Sequence, residues 1–114
     1  MTGHTNRVNT LAVLFNGDLV SGSEDYKIII WDLTTRTTKY ILTGHTNMIN
    51  SLKVLNNGYL ASGSGDKTIR IWDLTTRYTK YQLTGHTYWV YAFAILPNGD
   101  FASGSCDNSI RIWH

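Results

Sequence analysis

The chain has 114 residues, a formal net charge of +2 and a hydrophobic fraction of 42%, the proportions of one ordinary domain. Basic and acidic residues are interleaved, so neither a nucleic-acid footprint nor a polybasic membrane patch is expected, and no apolar window approaches the ~18 residues of a spanning helix or opens the chain as a signal peptide. A lone Cys106 excludes an internal disulfide and, with no Asn-X-Ser/Thr sequon, predicts a soluble protein of a reducing compartment, the cytoplasm.

From the N-terminus, short runs rich in β-branched and aromatic residues alternate with turn signals. Strands are predicted over about 8–14, 19–23, 27–32 and 38–42. Between the first two stands Asn16-Gly17, which predicts a type I′ hairpin because both central residues then need positive φ. "SED" separates the next pair and "DLTTR" the last, with Asp and Thr side chains satisfying local backbone N–H groups.

The whole set then recurs. "TGHT" begins at Thr2, Thr43 and Thr84, an offset of 41 each time, and 28 of 41 positions are identical between 2–42 and 43–83. The third copy, 84–114, repeats the first three strands and lacks the outer one. Such repetition governs the fold and outranks any local motif. "KIIIW" and "LAVLF" are near-continuous apolar runs, the pattern of a sheet buried on both faces. A four-stranded antiparallel meander sandwiched between copies of itself is a propeller blade, so the fold class expected is all-β.

Four residue types recur at fixed offsets: His4, Ser21, Asp25 and Trp31, then His45, Ser62, Asp66 and Trp72, then His86, Ser103, Asp107 and Trp113. A Ser-His-Asp triad would need one exposed nucleophile, an oxyanion hole and a substrate pocket, and nothing singles out one copy. A constellation written three times reads as a hydrogen-bond network: Asp accepting from the His ring N–H, His from Ser, and Ser from the Trp indole. The first serine of each Ser-Gly-Ser is taken as the member. Three histidines on three different units do not converge on one metal ion, so no metal and no cofactor is expected. "GSGDKT" at 63–68 has the look of a phosphate loop, but its sister copies read "GSEDYK" and "GSCDNS" and no helix follows. Cys106 replaces Glu24 and Gly65, an ordinary turn position.

The Gly-His pair, the Ser-Gly-Ser-x-Asp turn, the Ile-x-Ile-Trp strand and the period near forty together resemble the WD40 repeat family across the whole chain. The resemblance implies β-propeller blades, a hydrogen-bonded tetrad of those four residue types linking the loop before each unit's first strand to its second and third strands, and a non-enzymatic platform for protein–protein interaction. It also places the entry to each first strand on the propeller's top face. That stretch reads "TNRVN", "TNMIN" and "TYWVY" in the three copies. Arg7, Met48, Tyr88, Trp89 and Tyr91 are therefore candidate contacts for a peptide or protein, the aromatic trio suiting a hot spot. The competing expectation is that these aromatics pack against a neighbouring blade or subunit.

Three blades do not close a propeller, which needs at least four. Leading and trailing faces would meet head to tail, a contact that makes rings when the rotation closes. A homo-oligomer is expected: a trimer of nine blades is favoured, a dimer of six comes next. His114 stands where Asp32 and Asp73 stand, so the ending reads as a boundary in a repeated array, and His114 as a tag or cut residue. The alternative is a structural fragment or an engineered, amplified array with no dedicated ligand.

Overall fold

Eleven strands and no helix form three sheets in the computed structural model, which describes residues 1–114. With no helix, nothing in the fold is a helix able to cross a membrane. The first sheet holds β1 (Val8–Val13), β2 (Leu19–Ser23), β3 (Ile28–Asp32) and β4 (Thr37–Leu42). The second holds β5 (Ile49–Val54), β6 (Leu60–Ser64), β7 (Ile69–Asp73) and β8 (Tyr78–Leu83). The third has three strands, β9 (Val90–Ile95), β10 (Phe101–Ser105) and β11 (Ile110–Trp113). Within each sheet spatial order follows chain order and every pairing is antiparallel. The strands fall within about one residue of the bounds expected from the turn signals.

The first turn differs from the type I′ expectation. Gly17 has φ 92°, while Asn16 is not left-handed. Gly17 N–H donates to Leu14 O at 2.9 Å and Leu14 N–H to Asp18 O at 2.9 Å. This is a three-residue loop, a turn closed by one left-handed residue. The asparagine serves through its side chain: Asn16 Oδ1 accepts from Asp18 N–H at 2.9 Å, and Asn57 and Asn98 do the same for residues 59 and 100. The second turn has the same form, but its left-handed position is filled by Tyr26, Lys67 and Asn108 (φ 72°, 73° and 68°).

Each inner strand is bulged near its start. Val8 faces Ser23 and Thr10 faces Gly22, so Asn9 is the extra residue; Asn50 and Tyr91 hold the same place in the other sheets. A bulge re-aims the side chain it carries. Asn9 Nδ2 accordingly reaches across to Ile49 O of the second sheet at 3.1 Å.

The sheets stack by their inner strands, β1 against β5 and β5 against β9. The first interface packs Val20, Ile28 and Ile30 of the first sheet on Ile49, Leu52 and Leu60 of the second. The second interface packs Ala61, Ile69 and Ile71 on Val90, with Phe93 and Phe101 at its margin. Burial on both faces therefore describes β2 and β3 and, in the middle sheet, β6 and β7, while the outer β8 is largely open. It fails for β1, where Leu11 and Val13 are 62% and 59% exposed and Phe15, just past the strand, is open as well. No sheet covers that side.

Candidate functional site

The loop preceding each inner strand brings a histidine over the second and third strands of its own sheet. His4 Nδ1 lies 2.8 Å from Asp25 Oδ2, His4 Nε2 lies 2.6 Å from Ser21 Oγ, and the Trp31 indole N–H donates to Ser21 Oγ at 2.8 Å. The second sheet repeats these distances at His45, Asp66, Ser62 and Trp72. In the third, His86 stands 2.9 Å from Asp107 and 2.7 Å from Ser103, and Trp113 donates to Ser103 at 2.8 Å. Direction follows from chemistry. Indole only donates and an ionised carboxylate only accepts, so with neutral imidazole the hydroxyl proton goes to Nε2 and Nδ1–H goes to the aspartate.

The aspartates are the busiest members. Asp25 Oδ2 also accepts from Thr5 N–H, and Oδ1 from Lys27 N–H. Burial pushes the Asp25 carboxyl up, but bonds from His4, Lys27 and Thr5 outweigh it and hold it below its ordinary value. Asp66 follows the same balance and goes well below: burial opposes, while His45, Thr68 and Thr46 lower it. Asp107 is held low first by the Ser109 hydroxyl, then by Thr87 and His86, against the desolvation that raises it. A carboxylate with several donors prefers its charged form.

The serines of these networks are buried, and each hydroxyl is engaged by both His and Trp. None is an exposed nucleophile. No three His, Cys, Asp or Glu side chains converge anywhere. "GSGDKT" forms the turn between β6 and β7. The second serine of each pair has its own task, tying the turn to the loop before the inner strand: Ser23 Oγ donates to Arg7 O at 2.8 Å, Ser105 Oγ to Tyr88 O at 3.2 Å.

That loop carries the candidate contacts Arg7, Met48 and Trp89. Their carbonyls accept from Glu24, Gly65 and Cys106 N–H, each at 2.9 Å, so the three positions are structurally equivalent and held to the framework. Arg7 is exposed and Met48 half-buried. Tyr88 and Trp89 are 51% and 39% exposed, with ring centroids 5.7 Å apart. Tyr91 is also exposed but stands at the bulge and forms no ring pair with them. A separate cleft of about 360 Å³ opens between the second and third sheets, bounded by Tyr81, Leu83, Phe101 and Trp113.

Residue-type reasoning passed over the glycine between the two serines. A Cβ built on Gly22 would stand 2.5 Å from Ile49 Cγ2, and one on Gly63 would stand 2.8 Å from Val90 Cγ1. Only glycine admits the neighbouring sheet's β-branched residue there. The signal was available, since this glycine recurs at the 41-residue offset like the serines.

Meanders stacked inner strand on inner strand, each pinned by a His-Ser-Asp-Trp network, define the blades of a β-propeller. The family model for the WD domain, G-beta repeat matches residues 1–32, 36–73 and 77–114. The chain belongs to that family, whose propellers generally act as non-enzymatic scaffolds for protein–protein interaction. Among solved structures it resembles the WD40 beta propeller domain of Doa1, with a TM-score of 0.91 and 32% identity over 97% of this chain. The chain spans 38% of the length of that structure. No curated protein sequence matches it. With 894 solved chains matching, the likeness marks a widespread architecture and selects no partner.

Proposed function

We propose that the protein is a non-enzymatic propeller scaffold that closes into a ring with copies of itself and offers the Tyr88–Trp89 rim to a peptide or protein. The observation that carries the binding reading is a comparison within the chain. Where two copies present Asn6-Arg7 and Asn47-Met48, the third presents an exposed aromatic pair on the same framework hydrogen bonds. Exposed, pre-organised aromatics give contact area with little entropy to lose. Arg7 and Met48 extend the same rim, and Tyr91 adds a contact at its inner edge. The exposed, unpaired Cys106 supports a reducing location, the cytoplasm.

A displayed random-peptide library tests the rim. Peptides enriched on the wild-type protein lose at least about ten-fold in affinity on Trp89→Ala, the scale of one hot-spot residue. Enriched peptides that bind Trp89→Ala equally well, or no enrichment at all, would overturn the reading. Solution mass tests the ring: three chains for nine blades is favoured and two chains for six comes next, while a single chain at all concentrations removes it.

A further inference from the structure

Two faces of the three-blade arc lack a neighbour, and the chain already contains their counterparts. On the leading side of the first sheet, Val8, Leu11 and Val13 are 46%, 62% and 59% exposed. One repeat on, Ile49 and Leu52 are 0% and 9% exposed, packed on the preceding sheet. On the trailing side of the third sheet, Ile110 and Ile112 are 75% and 47% exposed. Their equivalents Ile28 and Ile30 are fully buried, and Ile69 and Ile71 are 1% and 4% exposed.

The glycines locate the seat. Gly22 receives Ile49 and Gly63 receives Val90, at distances that leave no room for a Cβ. Gly104 is the third member of this series, and a Cβ there would meet only Ala92, at an ordinary 3.6 Å. Val8 is the corresponding first member of the series Val8, Ile49, Val90. The chain thus carries one vacant socket and one unseated knob of a contact it makes twice internally.

We infer that Gly104 is the socket for Val8 of a second copy, with Leu11 and Val13 of that copy covering Ile110 and Ile112. This deepens the ring reading, on which it rests, by naming the contact that closes it. The occupant is a second copy of this chain because the two surfaces repeat, residue for residue, the halves of the internal interfaces. The contact is head to tail, so each chain uses both faces and the assembly closes without free ends.

The socket gives a selective block. A side chain at Gly22 or Gly63 would strike the neighbouring sheet of its own chain, whereas Gly104 has space within the chain. Gly104→Leu therefore keeps the fold of the single chain, read by circular dichroism and a cooperative melt. It collides with the incoming Val8 and weakens association by roughly 10- to 100-fold, the scale of overpacking a tight contact. A second variant asks for the contact directly. In the internal counterpart a Cβ on Gly22 stands 3.0 Å from Ile49 Cβ, which a disulfide accommodates with a shift of about half an ångström. Val8→Cys with Gly104→Cys, on a Cys106→Ser background, should oxidise to covalent multimers between chains.

Wild-type multimers, dissociated by Gly104→Leu and trapped by the cysteine pair, support the proposal. Multimers whose mass is unchanged by Gly104→Leu and that the cysteine pair fails to link overturn the socket and leave the ring reading standing. A wild-type chain that stays single at all concentrations, with no cross-link, overturns both.

Discussion

Asp66 accepts from His45 Nδ1 at 2.8 Å and Thr46 N–H at 3.1 Å through one oxygen, and from Thr68 N–H and its hydroxyl through the other. These donors reward the ionised form, and the carboxyl sits below its ordinary value of 3.8 although burial raises it. The sign of the linkage follows. The unfolded chain takes up the proton first as pH falls, so the stability Asp66 contributes is fully present above about pH 4. It is lost as pH drops below the ordinary carboxylate range toward the depressed folded value. Asp66→Asn keeps one acceptor oxygen but faces donors arranged for a charge, and should cost about 1–3 kcal/mol at neutral pH. Thermal melts from pH 7 down to about pH 2.5 check this: the gap between wild type and variant narrows as the unfolded wild-type chain takes up the Asp66 proton. A gap that stays constant with pH would show that the Asp66 charge does not couple to folding. All three networks rest on the same chemistry, and a functional hydrolase would have to spend a serine that here already serves Trp and His at once.

At the scale of elements, three hairpins in each of the first two units and two in the third are built around single left-handed residues, and the residues filling that position differ. Glycine fills it at 17, 58 and 99, but Tyr26, Lys67 and Asn108 fill it in the second turn and Arg36 and Arg77 in the third. A non-glycine residue there carries roughly 1–2 kcal/mol of steric strain, while glycine gives back about 0.5–1 kcal/mol in chain entropy. Lys67→Gly should therefore raise stability by about 0.5–1 kcal/mol, measured by urea unfolding, and Asn108→Gly by less because asparagine tolerates the conformation. Lys67 is the cleaner test than Arg77, whose guanidinium stacks 4.2 Å above the Tyr40 ring. These turns also mark what was legible in the chain. Strand order and strand bounds follow from turn signals and a 41-residue period, because local chemistry dictates them. The wrong turn type at Asn16-Gly17 arose because the dipeptide is compatible with two loop lengths, and strand register decides between them. The part of Gly22, Gly63 and Gly104 was hidden for another reason: a missing side chain shows its use only when the next sheet's Ile49 or Val90 is seen to occupy the space. Exposure at Leu11 and Ile110 was legible only from the count of three blades, which leaves an apolar face open at each end; the similar apolar runs are buried or open according to what stands beside them.

For the whole molecule, the first two blades are close to interchangeable in sequence, the third diverges and lacks the outer strand, and all three are unequal in environment. The middle blade is covered on both faces, while each outer blade has one apolar face open. If the open faces meet between copies, folding and association are linked, and the melting temperature must depend on protein concentration. Each closed contact binds folded chains only, so raising the concentration tenfold should shift the midpoint upward, and a Gly104→Leu chain, folded but seating Val8 poorly, should show the same shift only at roughly 10- to 100-fold higher concentration. The same experiment separates the two ring sizes when read beside the mass. Six blades require each contact to turn by about 60° and nine by about 40°, and every contact in a ring must adopt the same turn. A ring of nine leaves a wider central opening lined by the inner strands, with Asn9, Asn50 and Tyr91 at its bulges; a ring of six brings those bulges closer together. Tyr91 is the residue most sensitive to that difference, since Asn9 in its position bonds the next blade's Ile49 carbonyl and the bulkier phenol must find room beside Val8 of the neighbour. Tyr91→Asn installs the side chain that bonds across the first interface at Asn9, whereas the Nδ2 of the equivalent Asn50 has no partner. The substitution should tighten association, seen as a higher melting temperature at fixed concentration with the number of chains unchanged, whereas weaker association would mean that Tyr91 itself packs across the closing contact.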